Sequence, residues 1–199
     1  MFTAGHCFPE QPSKILVGNS TSAGGKEYRV KQNGAFQHKD YHPGTDPHND
    51  LTILVLETDV INVVPAPIAR SEDCDKMEFV RITGFGTTNL GGTVGFGTKR
   101  VADVVVVSPD GIKYDGQSYG ADAGLEFVAE DLHADTCKGD SGGPAYLKNS
   151  NGTWSLAGAT SRATKNSTMP CGDGGIYVRV DKYIPWVKEV AKSNGVSFP

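Results

Sequence analysis

Cys137-Lys138-Gly139-Asp140-Ser141-Gly142-Gly143-Pro144 is the most informative run in the chain. Glycines on both sides of Ser141 permit a tight turn that points the hydroxyl outward while neighbouring backbone N–H groups converge on one spot. That geometry serves an activated nucleophile beside an oxyanion hole. A plain Gly-rich turn is the bland alternative and suits most Ser-Gly-Gly stretches. The full octapeptide is far harder to produce by chance.

Outward from this run the chain reads as β structure. Short segments rich in β-branched and aromatic residues recur at Ile15–Val17, Tyr28–Val30, Leu51–Leu56, Phe79–Phe85, Val101–Val107, Ala145–Leu147, Trp154–Ala159 and Ile176–Val180. Gly, Asn, Asp or Pro bounds each of them, a rhythm that predicts an all-β barrel or sandwich. Among 199 residues, 25 Gly and 11 Pro accompany 38% hydrophobic residues, so the turn formers belong to a folded, β-rich globule and not to disorder. One segment departs from the pattern. Tyr183, Trp186, Val187, Val190 and Ala191 share a helical face, which predicts a C-terminal amphipathic helix with Pro185 in its first turn. Pro65-Ala66-Pro67 and the acidic Ser71-Glu72-Asp73 read as a connector between two halves, 1–70 and 71–199.

Composition excludes other classes. A net charge of −4 advertises no nucleic-acid partner. The most apolar stretch, 51–69, is interrupted by Thr52, Glu57, Asp59 and Asn62, which rules out a membrane helix. The glycines of 84–97, read as a loop free to move, lack the dinucleotide fingerprint because Asn89 stands where the third Gly is needed. His38, Asp40, His42, Asp46, His48 and Asp50 crowd one segment. Pro43, Gly44 and Pro47 make it a turn without ligand periodicity, so no metal site is expected.

A nucleophilic Ser needs a base, and the base an orienting acid. Thr3-Ala4-Gly5-His6-Cys7 supplies a His beside a small-residue turn, and Asn49-Asp50-Leu51-Thr52-Ile53-Leu54 an Asp at the start of an apolar strand. On these three motifs, in the order His, Asp, Ser and at similar separations, the chain resembles the trypsin-like (chymotrypsin-fold) serine peptidase family from residue 2 to about residue 190. The resemblance implies two antiparallel six-stranded β-barrels, the first incomplete at its N-terminus, with the site in the cleft between them. It implies Ser141 as nucleophile, His6 as general base and then acid, and Asp50 as the group that fixes the imidazole tautomer. The N–H groups of Gly139 and Ser141 would hold the oxyanion. No cofactor is implied. The partners would be protein or peptide substrates and proteinaceous protease inhibitors, and the protein a monomer.

Specificity follows from the same resemblance. Asp135 stands where trypsin-type enzymes carry an Asp at the base of the primary pocket, and a buried carboxylate there would pair with a substrate Arg or Lys. The runs from Gly158 to Ser161 and Gly175-Ile176-Tyr177 resemble the other pocket walls, Gly175 leaving room for a long side chain. After Ser161 the family usually has Trp-Gly, and here Arg162-Ala163 replace it. Arg162 is expected to remove an apolar platform and add positive charge near the cleft, and Ala163 to narrow the mouth.

Cys137 and Cys171 resemble the family pair that ties the nucleophile loop to the pocket wall, whereas Cys7 and Cys74 have no clear partner and a Cys7–Cys74 bond stays open. The family also uses a freed amino terminus to pair with the Asp matching Asp140, which on this reading has no obvious partner. The expectation is a longer secreted, extracellular precursor whose product is a serine endopeptidase. The rival is a catalytically inactive homologue that acts by binding or inhibition.

Overall fold

The computed structural model describes residues 1–44, 47–112, 118–130, 134–165 and 167–198. The first half is a four-stranded antiparallel sheet of β1 (Phe2–Thr3), β2 (Lys14–Val17), β3 (Lys26–Gln37) and β4 (Thr52–Leu56), in the spatial order β1-β4-β3-β2. The sequence signal at Tyr28–Val30 marks only part of β3. The strand runs on through Asn33, whose φ of 56° accommodates a bulge that shifts the register to β4 between Val30 and Ala35.

A connector carrying the one-turn helix α1 (Ser71–Cys74) leads to six further strands. These are β5 (Phe79–Gly84), β6 (Arg100–Ser108), β7 (Glu126–Glu130), β8 (Pro144–Lys148), β9 (Trp154–Ala163) and β10 (Gly175–Arg179). They close into a barrel in the order β10-β7-β6-β5-β8-β9, so among the described residues each barrel strand has a neighbour on both sides. Its core holds Val80, Ile82, Val104, Phe127, Ala145, Ala157 and Tyr177. The rings of Phe127 and Tyr177 stack with centroids 4.9 Å apart. The architecture is all-β with one C-terminal helix, as the sequence predicts. Two strands escaped the sequence reading. β1 has only two residues, and β7 (Glu-Phe-Val-Ala-Glu) has charged ends and an Ala at 129 that dilute the β signal although Phe127 and Val128 are fully buried.

The predicted helix is α2 (Ile184–Ser193), with Pro185 in its first turn. Its apolar face packs on both halves, Trp186 against the barrel residues Ala159 and Val178 and the two valines against the sheet. Val187 and Val190 reach back to Ile53 and Val55 of β4. A second cluster joins Leu51 to Ala159, Val178 and Tyr183, with Phe2 and Trp186 against it. These contacts clamp the sheet to the barrel along the seam where the motif residues lie.

Cys137 and Cys171 are disulfide-bonded. Cys7 and Cys74 are both free thiols, which closes the alternative of a bond between them. Cys74 is fully buried in the barrel core, and burial pushes its thiol up to about 12. No helix among the described residues is long and apolar enough to cross a membrane.

Candidate active site

Asp50 lies two residues before β4 and is completely buried. Its carboxylate is held by three donors. Oδ1 accepts the His6 backbone N–H at 2.7 Å, while Oδ2 lies 2.9 Å from His6 Nδ1 and accepts the Ser161 hydroxyl at 2.6 Å. Burial by itself would push the Asp50 carboxyl up, but the bonds from His6 and Ser161 outweigh it and hold it below the usual value. The hydrogen bond to Asp50, aided by Cys7, raises the His6 imidazole well above its ordinary value, partly offset by burial. With Nδ1 committed to Asp50, Nε2 is the ring nitrogen left for another partner.

Ser141 arrives from the other half. Gly142 has φ of +73°, and a Cβ there would stand 2.2 Å from Thr3 Oγ1 and 2.5 Å from Ala4 N. Only glycine lets the Ser141 turn lie against the segment that leads into His6. Ser141 is exposed, and its hydroxyl makes no hydrogen bond among the described residues. Around it Asp140 N donates to Cys137 O, Gly142 N to Thr160 O, and Gly143 N to Asp140 O. The intervening N–H groups of Gly139 and Ser141 take no partner among the described residues. Two free amides beside an exposed hydroxyl can receive an oxyanion.

Asp140 is not without partners. Its Oδ1 accepts the Gly86 N–H at 2.7 Å and its Oδ2 the Cys137 N–H at 2.9 Å. Gly84 and Gly86 give the carboxylate its room, since a Cβ on either would fall within 2.5 Å of an Asp140 oxygen. The glycine-rich loop at 84–97 is tied to this turn as well. Thr87 N donates to Lys138 O, and the Phe96 ring covers Gly139. Behind the turn lies a cavity of about 400 Å³ with Ile82, Ala102, Ala134, Asp135 and Asp140 among its lining residues.

The pocket residues divide. Ala163 pairs with Gly175 across β9 and β10, and a Cβ on Gly175 would lie 3.3 Å from Asp135 Oδ1. Asp135 accepts the N–H groups of Thr136 at 2.7 Å and Gly172 at 2.8 Å, and burial pushes its carboxyl up against those bonds. Ser161 departs from this group, because its side chain is buried against Asp50.

Arg162 also departs from expectation. Its charge does not face the cleft: the side chain is 11% exposed and forms a two-pronged pair with Glu126 at 2.7 and 2.9 Å. Glu126, the partner of Arg162, was not singled out from the sequence. It opens β7, its side chain is 1% exposed, and burial pushes its carboxyl up while Arg162 pulls it down. The histidines and acids at 38–50 scatter. His38 packs on the rings of Tyr183 and Trp186, His48 binds Asp122, and Asp46 lies outside the described residues. No cluster of metal-ligating side chains forms among the described residues.

A family model described as Trypsin matches residues 1–187. The chain belongs to the trypsin family. The chain is similar to kallikrein-7 of Homo sapiens, 26% identical over 200 residues that span 98% of this chain and 74% of kallikrein-7. It is also similar to serine protease filzig of Drosophila melanogaster, 26% identical over 208 residues, which are 96% of this chain and only 12% of filzig.

Proposed function

We propose that this trypsin-family chain is a serine endopeptidase that works through an acyl-enzyme and cuts after Arg or Lys. The observation that supports it most is the Asp50 carboxylate gripping the His6 segment at both the backbone N–H and Nδ1 while Gly142 packs Ser141 against the same segment. On this reading Ser141 Oγ attacks the scissile carbonyl and passes its proton to His6 Nε2. Asp50 stabilises the imidazolium, and the N–H groups of Gly139 and Ser141 bind the oxyanion. His6 then protonates the leaving amine, and water repeats the sequence to release the acid. Asp135 below Gly175 would pair with the substrate cation. The substrates would be extracellular proteins or peptides, met by a secreted monomer, and proteinaceous inhibitors would occupy the same cleft.

A fluorophosphonate probe tests the reaction. Labelling of the wild-type protein but not of Ser141→Ala is expected. A folded wild-type protein that stays unlabelled would instead support the inactive homologue.

A further inference from the structure

The side chain that replaces the family's usual aromatic after Ser161 is anchored more completely than a surface cation would be. Arg162 Nη1 donates to Glu126 Oε1 at 2.7 Å and to Ser161 Oγ at 3.2 Å, while Nη2 donates to Glu126 Oε2 at 2.9 Å and to the Gly120 carbonyl at 2.8 Å. Glu126 Oε2 also accepts the Asp122 N–H at 2.7 Å. Two desolvated ions are tolerable only when pairing is close and most remaining hydrogens are satisfied, and here the pairing is close and four of the five guanidinium N–H groups have acceptors among the described residues.

We infer that Arg162, held by Glu126, is a positioning residue that acts on Asp50 through Ser161. This rests on the triad reading above. A guanidinium can only donate, so Ser161 Oγ must accept from Arg162. The single hydroxyl proton of Ser161 is then free to go to Asp50 Oδ2, 2.6 Å away. Without the cation that hydroxyl can rotate, and Asp50 loses the donor that sets the plane of its carboxylate and thereby of the His6 ring. Glu126 balances the charge, so Arg162 orients Ser161 without placing a net positive charge beside the acid. A lysine does not reproduce this, because a point cation cannot span both Glu126 oxygens and Ser161 together.

A double-mutant cycle on the full-length protein separates positioning from mere support of the fold. One arm is Arg162→Met with Glu126→Gln, which removes both ions and leaves no lone buried charge. The other arm is Ser161→Ala. The readouts are the rate at which a fluorophosphonate labels Ser141 and, on a peptide substrate, kcat and KM. Each arm is expected to slow labelling about tenfold, the scale of one hydrogen bond to a charged group, with the loss in kcat and none in KM. In the Ser161→Ala background the Arg162→Met/Glu126→Gln change should add nothing. Additive losses, an unchanged rate, or a rise in KM alone would each overturn the inference. If the wild-type protein is not labelled, the triad reading fails on its own. The same cycle, read on the NMR titration midpoint of His6 with its neighbours Asp50 and Cys7 untouched, still decides the matter. A midpoint moved by Arg162→Met/Glu126→Gln only while Ser161 is present supports positioning, and any other pattern overturns it.

Discussion

His6 and Asp50 meet twice, once through the His6 backbone N–H on Oδ1 and once through the ring Nδ1 on Oδ2. The backbone contact fixes where the carboxylate lies, and the ring contact fixes which way the imidazole faces. The two groups therefore titrate as partners, the imidazole raised from 6.5 and the carboxyl lowered from 3.8.

That pairing sets stability and catalysis against each other in pH. A raised imidazole contributes stability that is complete below its unfolded value of 6.5 and lost as pH rises through the folded value. A depressed carboxyl contributes stability that is complete above its unfolded value of 3.8 and lost as pH falls through the folded value. The general-base role proposed for His6 would need the neutral ring, which exists on the alkaline side. The acid limb of kcat/KM is thus expected above 6.5, over the same interval in which the thermal midpoint declines. Rate profiles and melting curves on one set of buffers check this. An acid limb at or below the free-imidazole value would contradict it.

Gly142→Ala should disrupt the site without touching a reactive group. The new methyl meets Thr3 Oγ1 and Ala4 N at impossible distances, and the backbone there is left-handed. A loss of more than about 1 kcal/mol in urea unfolding is expected, since an Ala at positive φ is strained before any clash is counted. Labelling of Ser141 should fall with it. Gly152→Ala, also at positive φ but with open space around it, should cost only the strain and leave labelling intact.

Arg179 and Asp181 anchor the barrel to the connector. Their side chains are 1% and 2% exposed and pair at 2.8 Å, and Asp181 also accepts the Ser71 hydroxyl at 2.7 Å. Asp181→Ala leaves the buried Arg179 with Asp75, 2.6 Å away, as its remaining carboxylate and removes two charged hydrogen bonds, so a destabilisation of about 2–3 kcal/mol is expected. Chemical unfolding measures it. A change within about 0.5 kcal/mol would place the pair with ordinary surface substitutions.

Asp135→Asn should change substrate choice more than turnover. Matched peptides ending in Arg, Phe or Ala are the assay. Wild type is expected to prefer Arg, and the variant to lose that preference by one to two orders of magnitude in kcat/KM, the scale of an unpaired charge in a desolvated pocket. A wild-type preference for Phe would end the assignment of Asp135.

Local signals carried the fold a long way. Eight strands announced themselves by β-branched runs between turn residues, and the helix by its period, because each depends on neighbours within a few positions. β7 and the extension of β3 did not. Glu126 looks like the polar end of a strand until Arg162 is brought beside it, and a bulge at Asn33 has meaning only against β4. The candidate site divides the same way. His6, Asp50 and Ser141 were legible as three motifs in order, whereas the Ser161 bond to Asp50 and the Gly86 amide on Asp140 join residues remote along the chain.

The amino-acid sequence by itself determined that this is a β-rich chain of trypsin-like pattern, since residue order and short-range chemistry are written in it directly. Only the tertiary structure decided where charge is spent. It turned Arg162 away from the cleft onto Glu126, gave Asp140 the Gly86 and Cys137 amides, and left Cys7 and Cys74 as separate thiols. The reason is physical. A buried charge or polar group must find its partner in space, and closing a barrel against a sheet selects that partner without regard to distance along the chain.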